Sequence, residues 1–93
     1  MVRKKKKKTN ASRGITINSR YHDEFGKLTE HVRIKIRKLR EHCGLTQEQM
    51  QEFEINLRQF QRIENGETEN MTLANLFKIA KALQVDCSTL LEK

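Results

Sequence analysis

The sequence predicts an all-α fold, and three observations lead to this class. None of the 93 residues is proline, which would interrupt the interior of a helix. Apolar residues recur at intervals of three and four, as they do along one face of an α-helix. Residues that cap helices, namely Thr, Asn and Gly, stand at the breaks between these periodic stretches. The chain has the length of one domain with a small core.

The first predicted helix runs from about Leu28 to His42. Apolar residues before and within it follow steps of 3, 4, 4 and 3, which place them in one helical stripe: Phe25, Leu28, Val32, Ile36 and Leu39. Gly44 follows closely and can adopt the left-handed conformation that often ends a helix. Upstream, residues 15–17 (Ile-Thr-Ile) alternate like a short strand, although a coil lying over the domain is the favoured interpretation.

The second and third predicted helices are short and lie close together in the sequence. The second opens at Thr46, a favourable N-cap residue, and the third opens at Asn56, which is another. The third helix buries Phe60 and Ile63 and ends at Asn65-Gly66. Two short helices joined by a break of two or three residues form a helix-turn-helix unit, in which the second helix usually enters the major groove of DNA.

The outer face of the third predicted helix carries side chains that can read base edges. With Phe60 facing the core, the helical rotation points Arg58 and Arg62 away from it. In the major groove Arg pairs with guanine, Gln or Asn pairs with adenine, and an aliphatic side chain can contact the thymine methyl group. The candidate base-reading residues are Leu57, Arg58, Gln59, Gln61, Arg62 and Asn65. A solvated helix can carry the same residue types, so this face alone leaves both interpretations open.

Two further helices are predicted in the C-terminal part of the chain. The fourth begins after Thr72 as N-cap and ends near Leu83, with an apolar face made of Leu73, Leu76, Phe77, Ala80 and Leu83. A short fifth helix opens near Ser88. Val85 is expected to close the core below it, and Leu90 and Leu91 are its apolar residues.

Three stretches of the sequence resemble the Cro/CI-type helix-turn-helix family, the phage-repressor-like or xenobiotic-response-element type. They read IRKLREHCGLTQEQM (36–50), RIENG (62–66) and LFKIAKALQVDCSTLL (76–91), and they follow one another in the family's order and spacing. The resemblance covers roughly residues 32 to 91. It implies a compact five-helix, repressor-like DNA-binding domain, which we place at residues 28–93, after an extended segment at 14–27 and a disordered basic arm at 1–13.

The resemblance also implies roles for individual residues. Arg40 and Glu64 match the family's ion pair, which links the first helix to the end of the third. Gln47 matches a position whose side chain touches a DNA phosphate at the start of the second helix, where backbone N–H groups also favour an anion. The full set of candidate phosphate contacts is Thr46, Gln47, Asn56, Lys4, Lys5, Lys6, Lys7 and Lys8.

The sequence departs from the family's pattern at two places. Gln51 and Glu54 stand where the family commonly has a small residue and a glycine, and the span from Gln47 to Glu64 is one residue shorter than usual. Glu67 and Glu69 occupy the loop that usually carries basic phosphate contacts. These two positions are not expected to touch phosphate.

Positive charge is concentrated in the N-terminal half of the chain. Residues 1–43 contain 14 Lys and Arg against 4 Asp and Glu, while residues 44–93 contain 5 against 8. Like charges in the arm repel one another, so the arm is expected to be disordered in the free protein. Three roles are open for it: binding phosphates or the minor groove, acting as a nuclear localisation signal, or serving as a solvated tail or cloning feature.

The sequence offers little support for other classes of protein. Cys43 and Cys87 lie 44 residues apart and form no metal-binding motif, so free thiols, buried or half-buried, are expected. The three histidines are scattered, and no metal site is expected among them. No catalytic triad, phosphate loop or membrane span is recognisable, so we expect no enzyme, no cofactor and no membrane. A small-molecule effector is not expected either.

The expected function is therefore sequence-specific binding of double-stranded DNA by a transcriptional regulator. A repressor is the favoured kind of regulator. A homodimer is expected because one short helix contacts few bases, with Val85, Leu90 and Leu91 as interface candidates. The alternative is a protein-interaction module of the same fold, such as an antitoxin or co-activator-like protein, with DNA binding secondary. The expected location is the cytoplasm, at the nucleoid, or the nucleus if the protein is eukaryotic.

Overall fold

Five helical segments build the part of the chain that the computed structural model describes, residues 15–68 and 71–92. These segments are α1 (His22–His42), a 3₁₀ helix (Glu48–Phe53), α2 (Leu57–Glu64), α3 (Leu73–Leu83) and α4 (Cys87–Leu91), and the described residues contain no β-strand. The predicted all-α class and the order of five helices are confirmed. The predicted basic arm, residues 1–13, lies outside the described residues.

The hydrophobic core lies where α1 meets α2, α3 and α4, and the 3₁₀ helix closes it from the side of α2 and α3. Its largest fully buried apolar side chains are Phe60, Ile36, Met50, Ile63, Ile79 and Leu90. Val85 and Leu39 pack against this cluster from its edge. Every helical segment thus contributes at least one buried side chain, so the short helices hold their positions through packing.

Helix α1 begins six residues before its predicted start. Asp23 and Glu24 stand in its first turn, where carboxylates stabilise the positive end of the helix dipole. The predicted start near Leu28 is wrong, and the two carboxylates of the first turn were the signal for the true start. The second half of the predicted extended segment at 14–27 is therefore helical. Residues 15–17 form no strand, and the N–H of Ser19 donates to the carbonyl of Thr16 in a turn.

The predicted caps of α2 and α3 are present. Asn56 accepts a hydrogen bond from the backbone N–H of Gln59, and Thr72 accepts one from that of Asn75. Gly44 and Gly66 both have positive φ angles, of 73° and 76°. The last helix begins at Cys87, which confirms the predicted start near Ser88.

The predicted apolar face of α3 is only partly buried. Leu73 is 76% exposed and Phe77 is 55% exposed, whereas Ile79 and Ala82 are buried in their place. The Lys81 ammonium lies 5.4 Å from the centre of the Phe77 ring, a cation–π contact at the surface. Leu28 in α1 is also exposed. Periodicity identifies a helix, but it does not decide which part of a broad apolar face meets the core.

The second helix is a 3₁₀ helix of six residues and not an α-helix. A capping box precedes it: the Thr46 hydroxyl accepts from the N–H of Gln49 at 3.1 Å, and the Gln49 side-chain oxygen accepts from the N–H of Thr46 at 2.8 Å. A 3₁₀ helix rises about 2.0 Å per residue against about 1.5 Å for an α-helix, so these six residues span roughly the length of eight α-helical ones. The 3₁₀ form thus lengthens a stretch of chain whose sequence between Gln47 and Glu64 is one residue short.

The turn before α2 is made at Glu54, whose φ of 63° places a non-glycine residue in the left-handed region. For an L-residue with a Cβ this conformation costs about 1–2 kcal/mol, which glycine avoids at some cost in chain entropy. The Lys78 ammonium donates to the Glu54 carbonyl at 3.0 Å, and this contact does not depend on the Glu54 side chain.

We therefore expect Glu54→Gly to stabilise the domain by about 0.5–1 kcal/mol. Thermal and urea unfolding would measure the change. Glu54→Ala is the matched control, because it removes the carboxylate but keeps the Cβ that makes the turn costly. A gain of equal size in both variants would attribute the effect to the removed charge and contradict the conformational explanation.

Candidate nucleic-acid interface

Helix α2 is fixed to the core by one face and presents the other to solvent. Phe60 and Ile63 are buried on the inner side, while Arg58, Arg62 and the C-cap residue Asn65 are exposed on the outer side. This arrangement agrees with the rotation predicted from the sequence.

The outer side of α2 forms part of a concave surface enclosing about 590 Å³, which we call the α2 surface. It contains five of the six candidate base-reading residues, together with one candidate phosphate contact and two further residues: Leu57, Arg58, Gln61, Arg62, Asn65, Asn56, Gln51 and Glu67. Gln59 is half-buried and does not line this surface. Gln51 was noticed in the sequence only as a departure from the family, but the tight turn brings it beside α2.

The last residue of α2 anchors the helix to α1 through a buried ion pair. Glu64 is 0% exposed, and the Arg40 side chain is 12% exposed. Arg40 Nε donates to Glu64 Oε2 at 2.8 Å and Nη2 donates to Oε1 at 2.9 Å, which is a bidentate geometry. Arg40 Nη1 also donates to the carbonyl of Leu45 at 2.7 Å. The two residues matched to the family's ion pair are thus in direct contact.

The surroundings of Glu64 favour its charged form. Burial alone would raise the pKa of the Glu64 carboxyl, but hydrogen bonds from Arg40 and Gln47 and the charges of Arg40 and Arg37 outweigh burial and lower that pKa. The hydrogen bond to Glu64 raises the pKa of Arg40 in turn. At neutral pH the pair is therefore fully ionised.

Gln47 joins this network from the 3₁₀ side. Its Nε2 donates to Glu64 Oε1 at 2.7 Å, and its Oε1 accepts from Gln61 Nε2 at 3.4 Å. One of the two N–H groups of the Gln47 amide thus donates within the protein. A contact with a DNA phosphate would have to use the other N–H group. The network links Gln61 of the α2 surface to the buried carboxylate.

The remaining candidate phosphate contacts have separate placements. The Thr46 and Asn56 side chains both cap helices, and Asn56 also lines the α2 surface. Lys4, Lys5, Lys6, Lys7 and Lys8 lie outside the described residues. Arg37 of α1, which sequence reasoning did not single out, lies beside the end of α2, with Nη2 at 3.4 Å from Asn65 Oδ1. The sequence could have pointed to Arg37, because it stands three residues before Arg40 and therefore on the same side of the predicted first helix.

Other kinds of site find little support in the described part of the chain. No group of three potential metal ligands comes together there. None of the helices within residues 15–68 and 71–92 has the length and apolar character needed to cross a bilayer. Both cysteines are free thiols, and Cys43 is exposed, so its expected burial is wrong.

Comparison with known proteins identifies one family. A family model described as helix-turn-helix matches residues 36–90, which is more than half of the chain and includes all of the 3₁₀ helix, α2 and α3. Searches of curated proteins and of solved structures give no significant match. On the strength of the family match and the helical arrangement, the chain belongs to the Cro/CI-type helix-turn-helix family of DNA-binding regulators.

Proposed function

We propose that this protein is a sequence-specific repressor that inserts α2 into the major groove of double-stranded DNA. The observation that carries the proposal is the α2 surface, which gathers two arginines and four amide side chains on and around a helix whose other face is buried in the core. Arg58 and Arg62 would pair with guanines, Gln61 and Asn65 would pair with adenines, and Leu57 would contact a thymine methyl group.

A homodimer is part of this proposal. Helix α2 has eight residues, which gives it a length of about 12 Å and access to only a few base pairs. Two copies on half-sites one helical turn apart would double the base contacts. Of the three interface candidates, Leu90 is buried in the core and Val85 packs against it, which leaves Leu91 as the exposed one. Any dimer contact in this region would therefore centre on Leu91 and its neighbours.

Selection of bound duplexes from a random pool, followed by a footprint, tests this proposal. We expect an enriched site with two related half-sites whose centres are separated by about 10 base pairs. Enrichment of a single half-site would contradict the dimer. The absence of any enriched sequence would contradict sequence-specific recognition.

The alternative function, a protein-interaction module, is favoured by one specific observation. Leu73 and Phe77 stand one turn apart on α3 and are both mostly exposed, and an exposed apolar pair suits a protein contact better than a DNA contact. Under this alternative, DNA binding would be weak and independent of sequence. The same selection experiment distinguishes the two functions, because the module would enrich no site.

Deletion of residues 1–9 is expected to weaken binding to specific and random duplexes by the same factor. Residues 1–9 carry six of the 14 cations in the N-terminal half, whereas residues 44–93 have an excess of acidic residues. For every phosphate that the shortened protein no longer binds, the dependence of log K on log salt should flatten by about 0.9. Replacement of Lys4 through Lys8 by glutamine is the control that keeps the arm's length. An unchanged salt slope in both variants would exclude a DNA-binding role for the arm.

A further inference from the structure

Arg37 of α1 is held loosely at the C-terminal end of α2. Its Nη2 lies 3.4 Å from Asn65 Oδ1 and its Nε lies 3.5 Å from Glu64 Oε1. Both distances are long beside the 2.8 and 2.9 Å of the Arg40 contacts with the same carboxylate. The Arg37 side chain is 46% exposed. A guanidinium carries five N–H donors, so two weak contacts leave most of its capacity for another acceptor.

The Glu64 carboxylate does not depend on Arg37 for its partners. Arg40 already binds both of its oxygens, and Gln47 donates a third hydrogen bond at 2.7 Å. The one negative charge of Glu64 is thus balanced by Arg40. Arg37 adds a positive charge at the edge of the α2 surface, beside Asn65, that this network does not neutralise.

With α2 inserted in the major groove, Arg37 would lie close to the wall of that groove, because it stands beside the C-cap residue Asn65. An eight-residue helix is about 12 Å long, and the major groove of B-DNA is about 12 Å wide, so the end of an inserted helix comes close to a phosphate strand. At this end the chain continues into Glu67, which repels phosphate. Of the two neighbouring arginines of α1, Arg40 binds Glu64, whereas Arg33 packs against Gly66, lies 3.6 Å from the Glu30 carboxylate and is less exposed than Arg37, 30% against 46%.

We propose that Arg37 binds a DNA backbone phosphate at the C-terminal end of α2 and replaces there the basic contact that the acidic loop cannot make. The inference rests on the proposed function, because it requires α2 in the major groove. A guanidinium binds phosphate through two parallel hydrogen bonds. Leaving Asn65 and Glu64 costs little, because long, half-exposed contacts contribute little to stability.

Arg37→Gln and Lys38→Gln form a matched pair that tests this proposal. Both remove one positive charge from adjacent positions of α1, but Lys38 lies on the side of α4, beside a groove lined by Ile34, Leu39 and Thr89. The affinity of each variant would be measured at 50 and 200 mM NaCl, for the duplex selected by the wild type and for a random duplex. Circular dichroism would establish that both variants are folded.

The expected result is a salt slope flatter by about 0.9 for Arg37→Gln, which corresponds to a three- to fourfold smaller decrease in affinity between the two salt concentrations. This change should be the same on both duplexes, since phosphate contacts carry no base information. Arg37→Lys should restore the slope, and Lys38→Gln should keep it. Equal slopes for Arg37→Gln and the wild type, or equal changes in both glutamine variants, would overturn the inference. A wild type that binds neither duplex would instead refute the proposed function.

Discussion

Glu64→Ala is expected to destabilise the domain by about 3–5 kcal/mol, because it leaves the Arg40 guanidinium largely buried without its carboxylate. A small domain has a total stability of about 5–15 kcal/mol, so this loss should move the midpoint of unfolding to a clearly lower urea concentration. The substitution also removes the acceptor of Gln47. Urea unfolding followed by circular dichroism would measure the effect.

The double variant Arg40→Met, Glu64→Met is the control for this prediction. Replacing both charges with apolar side chains of similar length leaves no buried ion without a partner, and such replacements are often neutral or stabilising. We therefore expect the double variant to recover most of the stability that Glu64→Ala loses. If Glu64→Ala cost less than about 1 kcal/mol, the pair would behave like a surface ion pair, and the buried network would not anchor α2.

The ion pair also predicts how stability depends on pH. The pKa of Glu64 is lowered in the folded protein, so the folded state binds its proton less readily than the unfolded state does. Its contribution is complete above the unfolded pKa of about 4.3 and is lost as the pH falls through the lower, folded value. The wild type should therefore lose more stability than the double methionine variant between about pH 5 and pH 2. If the stability of the wild type and of the double methionine variant fell equally over this range, the loss could not be assigned to Glu64.

Local signals in the sequence were sufficient for most of the fold. Asn56 and Thr72 cap their helices as predicted, because an N-cap acts within three residues of itself. The buried positions of α2 also followed from local spacing, since one short amphipathic helix has one apolar side. The pair Arg40 and Glu64 came from the resemblance to a family, because nothing local joins residues 24 positions apart.

Features that depend on packing between distant segments could not be predicted. Leu73 and Phe77 have the spacing of core residues but lie at the surface, because the rotation of α3 is set by what it meets. Gln47 was assigned to phosphate, yet its side chain also donates to a carboxylate 17 residues away. The 3₁₀ form of the second helix was not predicted, because the sequence showed only a span one residue shorter than the family's.

Removal of both outer arginines of α2 is expected to have the largest effect on DNA binding. Each bidentate arginine–guanine pair contributes about 1–3 kcal/mol of discrimination, which corresponds to a decrease of about 5- to 150-fold in affinity for each residue. Arg58 and Arg62 are four residues apart on one face of α2, so their contributions need not add fully. Both side chains are exposed, so Arg58→Ala, Arg62→Ala should unfold like the wild type, within about 0.5 kcal/mol.

Competition between the selected duplex and a random duplex measures this prediction. The double variant should lose affinity mainly for the selected duplex, because base contacts carry the specificity and phosphate contacts carry the general affinity. Gln59→Ala is the matched control on the same helix: Gln59 does not line the α2 surface, so its removal should change the preference little. A double variant that keeps the preference for the selected duplex would mean that α2 does not read the bases. The exposed pair Leu73 and Phe77 would then be the better candidate for the functional surface. The protein-interaction function would be better supported than sequence-specific DNA binding.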